Sequence, residues 1–497
     1  MLTRTAYGDS RLSLWLRVRE FAVPPSMIET ATVRRAAGDW AGACAAAGVD
    51  IDLDLRSVAR AHGRELASRI RADLRHLAPD LLRWHMPRIA PDGLLRPGLT
   101  LTLARYDHPD RPSAPPLHLV VRTPPAWADA GQRIGLALWD GSARTGAAGH
   151  SHTHPRQHPH PRPSRRFRFD LHRHLWDARR AGELWARSGA ERSGADGSGA
   201  NRSVVGLREK VAGLSELGQQ GLEQPELGQP NLGCAVDRWA AEAAVLLGSE
   251  GRRAGTFVVR LGGRRRLVLD LMAPGAGGAP AGLRIAASLP EGDVSALPVL
   301  PDAATWSLPD LELLRAGLLE PGQVHALVAA ALVPGHPPSG APRGREPAGS
   351  TRLVECRGAR HRIGHVDGVL APLDHTPQEL RREELLVALG GPPLPCLRFI
   401  DEAHRRPDCL ADVRERLNHG DTAGALAVVE GLLGPSALLR DGSLRDALEA
   451  AAEWRITYGL YRAGLVGPGH APLDRHGRAT VRHHRRRPRQ ATFPVPR

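Results

Sequence analysis

Asp401, Glu402 and His404 fall within four consecutive residues, and the spelling Asp-Glu-Ala-His is that of the acidic box with which nucleic-acid motors hold Mg²⁺ on a nucleotide. That chemistry needs a second part, a glycine-rich loop whose lysine reaches the β- and γ-phosphates. The chain has one lysine, Lys210, and no Gly-Lys pair. A nucleotide-driven motor is therefore excluded. Pro392, Pro393, Pro395 and Arg398 also stand where a buried strand would have to lead into the acids. Leu397, Ile400 and His404 instead recur at helical spacing, which predicts a short helix with Asp401 and Glu402 on its solvated side. The rival reading is a metal-dependent enzyme using the Asp401, Glu402 and His404 cluster.

Other clusters invite metal or anions. His150, His152, His154, His158 and His160 are spaced closely enough to bind Zn²⁺, Ni²⁺ or Cu²⁺ through imidazole. The prolines at 155, 159, 161 and 163 give that run no enforced geometry, and the competing reading is a drifted loop. Asp50, Asp52 and Asp54 share one face of a candidate strand and could hold Mg²⁺ or Ca²⁺, a pattern that the exposed edge of a half-buried strand also makes. Arg482, Arg485, Arg486, Arg487 and Arg489 form the one concentrated positive field, suited to gripping nucleic acid or another anion in a salt-sensitive way. The five cysteines, Cys44, Cys234, Cys356, Cys396 and Cys409, are odd in number, far apart and without a Cys-x-x-Cys pair, which suits reduced thiols better than disulfides or a zinc ribbon. Cys396, His404 and Cys409 are close in sequence, and the fold must decide whether they converge. Nucleophile-elbow and His-Glu-x-x-His motifs are absent, and no cofactor is implied.

Three low-complexity stretches, 141–166, 188–233 and 335–349, divide what must position these residues. The first block, 1–187, carries helical periods over about 26–47 and 56–77 and strand patterns at 101–106, 117–123 and 133–139, with the His/Pro-rich run 141–166 inserted. Ser13–Phe21 alternates like a strand but has flanks that tolerate a helix, and 167–185 reads as a strand followed by a helix. After the linker 188–233, the second block, 234–334, repeats the order in brief: a helix at 236–247, strands at 256–261, 266–272 and 282–288, then two closing helices. A diverged internal duplication would explain the likeness. A further linker, 335–350, leads to a hairpin at 352–373 and a helical domain, together 351–466, before a disordered basic tail, 467–497. The fold class predicted is multidomain α+β: two helix-plus-β-meander blocks and an α-helical C-terminal domain.

Local stop and start signals are sharpest in that last block. Thr376 with Glu379 three residues on forms a capping box, Asp408 is placed to cap the helix after Pro407, and Gly420-Asp421 ends one helix and starts the next. Residues 420–427 match 38–45 at six of eight positions, so one helical-hairpin turn is written twice.

The net charge is +14, and residues 470–497 hold half of it, with eight arginines against Asp474. The longest apolar run, Ala326 to Val333, is far shorter than the roughly 20 residues a membrane span needs, and the first residues lack a signal-peptide pattern, so the expected location is the cytoplasm. The stretches 34–55, 353–375, 383–410 and 454–465 resemble an uncharacterised family of large proteins from high-GC bacteria. That resemblance implies association with MoxR-type ATPase and von Willebrand factor A systems, hence an AAA-type ATPase as partner, and no catalytic residue. The expected function is a non-catalytic cytoplasmic scaffold or accessory protein acting through protein–protein contacts. A nucleic-acid-associated protein using its arginine-rich tail is the alternative.

Overall fold

Leu14, Trp15, Val18 and Ala22 are all buried, and their spacing is helical although Leu12, Leu14, Leu16 and Val18 alternate as a strand would. The segment folds as a helix, Gly8–Arg17, that widens into one π-helical turn, Val18–Ala22. The structure is a computed structural model, and it describes residues 8–108, 115–128, 132–141, 160–189, 207–208, 211, 233–262, 265–273, 282–286, 294–333, 335 and 351–465. The described chain is a multidomain α+β protein.

Each long helical period of the first block breaks once at a glycine. Pro25–Ala36 and Trp40–Ala46 are separated at Gly38-Asp39, and Leu55–His62 and Arg64–His76 at Gly63, where φ is +91°. Strand β1 (Val49–Ile51) lies between them, and the helix Pro79–His85 leads to the short pair β2 (Arg88–Ile89) and β3 (Leu94–Leu95). The expected meander follows as β4 (Thr100–Tyr106), β5 (Leu117–Arg122) and β6 (Ile134–Trp139). Its alternating Leu101, Leu103, Leu119, Val121, Ile134 and Leu136 enter the core, and β1 joins the edge parallel to β6.

Residues 167–185 differ from the strand and helix expected of them. Arg168 makes a single bridge to Thr102, and the chain then runs through two 3₁₀ turns to the five-residue helix Leu184–Ser188. Polar side chains hold this coil in place: the Trp176 indole donates to the Phe169 carbonyl at 3.0 Å, and Asp177 accepts from Arg173 and Arg179, each at 2.9 Å.

The second block has its own core of Trp239, Leu246, Phe257, Val259, Leu269 and Leu300 beneath the antiparallel β7 (Gly255–Arg260), β8 (Arg266–Leu271) and β9 (Leu283–Ile285). The two blocks share more than a meander. In each, a residue before the helix bridges antiparallel to the chain that returns after the meander, Leu77 to Asp177 and Cys234 to Trp306. Each returning chain also pairs in parallel with the first meander strand, Arg168 with Thr102 and Val299 with Val258. These matched pairings support an internal duplication. The helices Pro309–Arg315 and Ala326–Leu332 follow the second meander in sequence yet bury Leu313, Val328 and Leu332 in the first core.

Beyond residue 351 the chain forms β10 (Arg352–Cys356), β11 (Ala359–Val366) and β12 (Val369–Pro372), a three-stranded meander where a hairpin was expected. Five helices follow: Pro377–Ala388, Pro395–Arg405, Leu410–His419, Thr422–Leu433 and Ser443–Arg462. Ile363, Leu394, Ile400, Val413, Ala425, Leu433 and Leu444 form their core. The capping box forms as expected, Thr376 N donating to Glu379 Oε2 at 2.8 Å. Asp408 does not cap its helix. Cys409 occupies the cap position, and no side chain bonds there.

The repeated turn is one structure built twice. Asp39 Oδ1 accepts from Gly42 N at 2.8 Å and Asp421 Oδ1 from Gly424 N at 2.9 Å, while Arg34 and Arg416, each five residues upstream, bind the other carboxylate oxygen. Gly420 takes the left-handed conformation with φ +84°. No described helix is long and apolar enough to cross a membrane.

Candidate metal centre

Antiparallel pairing places Cys356 opposite Ala359 and Val354 opposite His361. Because side chains alternate across a strand, Cys356 and His361 emerge on the same face as diagonal neighbours. Arg357 and Gly358 make the two-residue turn between them, both with positive φ as a tight hairpin requires. Past β12 the chain folds back along β11, where Asp374 accepts from the Arg362 backbone N at 2.6 Å and pairs with its guanidinium at 2.7 Å. That anchor sets His375 beside His361, immediately before the Thr376 cap. Cys396 comes from the first turn of Pro395–Arg405 and is wholly buried in the same core as Cys356.

The two thiol sulfurs and one nitrogen of each imidazole all lie within 4.8 Å of one another. Among the described residues this is the one set of three or more histidine, cysteine or acidic side chains so placed. His361 Nδ1 is 2.8 Å from His375 Nε2, and His375 Nε2 is 3.8 Å from Cys356 Sγ. A tetrahedral zinc sets such N···N and N···S separations at about 3.3 and 3.6 Å, so shifts of a few tenths of an ångström seat one ion. Two soft thiolates and two imidazoles form a closed zinc-type donor set with no position left for water. A two-iron cluster would divide these ligands between two metals and hold them farther apart.

Burial and then the neighbouring Cys356 thiol push the Cys396 thiol up to about 12. A bound dication reverses that preference, because it replaces a buried pair of thiols with charge-compensated thiolates. Glu379 Oε2, which accepts from Thr376 N, lies 4.0 Å from His375 Nδ1, and Arg357 in the turn pairs with the buried Glu383.

The residues singled out in the sequence have other surroundings. Asp401 bonds Arg405 at 2.7 Å and Arg440 at 2.8 Å on the outer side of its helix, while His404 and Ile400 face the core. Cys396 joins the metal-type cluster, and neither His404 nor Cys409 does. Asp50 accepts two bonds from Arg133, at 2.9 and 2.7 Å, and pairs with Arg462 at 3.0 Å; Tyr458 also donates to it. Burial raises the Asp50 pKa, but the Arg133 and Tyr458 hydrogen bonds more than offset this and hold it below its ordinary value. Asp52 pairs with Arg462, and Asp54 caps Leu55–His62. The three aspartates thus dock the last helix against β1 and start another helix. His160 is described, its carbonyl accepting from Thr100 Oγ1 at 2.7 Å. His150, His152, His154, His158, Arg482, Arg485, Arg486, Arg487 and Arg489 lie outside the described residues.

No protein family, curated protein or solved structure matches the chain. The metal-type cluster was missed in sequence because its spacing, Cys-x₄-His-x₁₃-His-x₂₀-Cys, contains no Cys-x-x-Cys. A signal was present nonetheless: Cys356 adjoins a hairpin turn, and His375 and Cys396 stand at helix starts.

Proposed function

We propose that the chain is a non-catalytic accessory protein whose C-terminal unit is organised by one structural zinc ion and engages a protein partner. The observation that carries this reading is the closed Cys356, His361, His375, Cys396 set, in which four protein ligands leave no open position for substrate or water. Partner contact is supported by the helix that begins directly after His375. Its far end exposes Leu385 and Leu389 to 66% and 85%, with Leu386 and Val387 beside them, an apolar patch on the helix that leaves the metal-ordered meander. The resemblance of the chain to an uncharacterised family of large proteins from high-GC bacteria implies association with MoxR-type systems, which makes an AAA-type ATPase the partner to test, and the cytoplasm is the compartment that reading supposes.

Two measurements test the proposal together. Elemental analysis of the untagged full chain should give about one zinc per chain, and a Leu386→Glu, Leu389→Glu double variant should keep that zinc and its melting temperature while losing partner capture. A chain that carries no zinc after expression in zinc-replete medium sinks the structural role. A double variant that captures the partner undiminished sinks the docking surface.

A further inference from the structure

The sheets of the two duplicated blocks are joined edge to edge. Leu300 N donates to the Val258 carbonyl at 2.8 Å, Asp302 N to the Arg166 carbonyl at 3.0 Å, and Ser164 N to the Thr100 carbonyl at 2.8 Å. Residues 298–302 and 164–168 thus form a seam between β7 and β4.

Four arginines meet along it. Phe257 and Val259 of β7 enter the core of the second block, so Arg260 points to the opposite face, directly across from Arg266 on β8. Arg166 stands on the seam itself, and its Nε donates to Asp302 Oδ1 at 2.6 Å. Arg96 comes from the first block, just after β3, and is half-buried like Arg260. Each is close enough to feel the others' charge. Burial, then Arg166 and Arg266, lower the Arg260 pKa, and burial, then Arg166, lower that of Arg96.

Nothing in the fold answers this charge. Among the described residues no hydrogen bond or ion pair engages the side chain of Arg96, Arg260 or Arg266, and Asp302 is committed to Arg166. Elsewhere in the chain two arginines converge on one carboxylate, as at Asp177 and Asp401. At the seam four guanidinium charges face one carboxylate, an excess of three. Like charges gathered at half-buried positions repel one another and destabilise the chain that holds them, unless an anion relieves the repulsion. The donor type narrows the anion. Planar guanidinium forks match the oxygens of phosphate, and an excess of three calls for a ligand with several closely spaced negative charges.

We propose that the seam binds a phosphate-bearing polyanion, held by Arg96 of the first block, Arg260 and Arg266 of the second, and Arg166 on the segment that joins them. A free oligophosphate and a nucleic-acid backbone both offer this chemistry, and the assay separates them. The site lies apart from the metal-type cluster and does not depend on it.

The test is calorimetric titration of the full chain, at about 0.15 M salt, with tripolyphosphate and with a single-stranded RNA of about twelve nucleotides, with melting temperatures recorded in parallel. Wild type should bind at least one of them saturably and melt higher in its presence. An Arg260→Gln, Arg266→Gln double variant should bind that ligand about tenfold to a hundredfold more weakly, while the ligand-free chain melts no lower than wild type. An Arg252→Gln, Arg253→Gln double variant removes the same charge from the exposed loop at the other end of β7, and should bind within about twofold of wild type. Removal of zinc by tripolyphosphate would be equal in all three chains and so cannot mimic this pattern. If the seam double variant unfolds, Arg96→Gln takes its place and is read in the same way. Tighter binding of tripolyphosphate, weakened by the seam variant, supports the proposal with a free oligophosphate as the source, and tighter binding of RNA, weakened likewise, supports it with a nucleic-acid backbone. No saturable heat with either ligand up to ~1 mM would overturn it. So would equal weakening in the two double variants, which would mean general attraction to a basic chain, or a seam variant that binds as wild type does.

Discussion

Replacing Cys396 with serine removes one of four ligands and unties the Pro395–Arg405 helix from the β10–β11 turn. The cross-link that a zinc ion provides between Cys356 and Cys396 closes a loop of about 40 residues, and the chain-entropy estimate for such a closure is ~4 kcal/mol. An independent figure is close: a ligand held at a hundred times its dissociation constant stabilises the folded state by about 2.7 kcal/mol. For a unit of the size of 351–465, 3–4 kcal/mol corresponds to a loss of roughly 10–20 °C in the transition of that unit. The assay is scanning calorimetry of the zinc-loaded chain with and without a strong chelator, joined to hydrogen exchange. In wild type that transition should move down by this amount on chelation, with protection falling in 352–376 and 394–405 while β4 to β6 keep theirs. Cys396→Ser should melt like chelated wild type and respond no further to chelator. That second comparison matters because Cys396 is wholly buried, and the substitution has a packing cost of its own. A Cys396→Ser chain that responds to chelator as strongly as wild type would falsify the ligand assignment, however unstable it was.

Asp421→Ala should destabilise the C-terminal unit by about 1 kcal/mol in urea titration, because Gly424 N and Arg416 both lose their acceptor. Tyr458→Phe removes a hydroxyl that donates to the half-buried Asp50, and the expected cost is about 1–2 kcal/mol, seen as faster amide exchange along Ser443–Arg462 and not along Pro377–Ala388. Acid should weaken the fold, through His85 in the first block and His419 in the C-terminal unit, before any carboxylate titrates. Burial, with the His325 imidazole nearby, pushes His85 down to about 3, and burial, then Arg88, Arg83 and Arg17, push His419 down to about 3. Both are neutral in the folded and unfolded chain above about pH 6.5. Below that only the unfolded chain takes up the protons, so stability falls as pH drops from 6.5 toward 3. Two such groups give a loss of about 3 kcal/mol by pH 5.5, and urea midpoints unchanged between pH 7.5 and 5.5 would show that both imidazoles are solvated.

Features set by neighbours in sequence were legible, and those set by distant contacts were not. Thr376 with Glu379, Gly420 with Asp421, and the alternating leucines of β4 to β6 each need only a few adjacent residues to act, and each forms as its spacing predicts. The Pro395–Arg405 helix was legible for the same reason: Ile400 and His404 face inward, Asp401 outward. Asp408 shows the limit of such reasoning, since the turn after Pro407 gives the cap position to Cys409 one residue later. Residues 167–185 misled because a single bridge, Arg168 to Thr102, and the Trp176 indole bond to the Phe169 carbonyl hold them, and neither leaves a strand period. The metal-type cluster depends on a turn, a register and a helix start meeting at one point. No single window of sequence contains all three.

The composition also explains why the acidic clusters are not where a metal would bind. A chain with 67 basic residues, of which Lys210 alone is lysine, meets its carboxylates with planar guanidinium forks. Asp50 is held by Arg133 and Arg462, Asp52 by Arg462, Asp177 by Arg173 and Arg179, Asp374 by Arg362, and Asp401 by Arg405 and Arg440. A divalent cation arriving at any of them competes with covalently tethered charges already in contact. Thiols and imidazoles are exempt from that competition, since a guanidinium only donates and cannot replace a metal bonded to sulfur and ring nitrogen. In an arginine-rich chain, soft and neutral donors are therefore where coordination survives. The Cys356, His361, His375, Cys396 set consists of such donors alone.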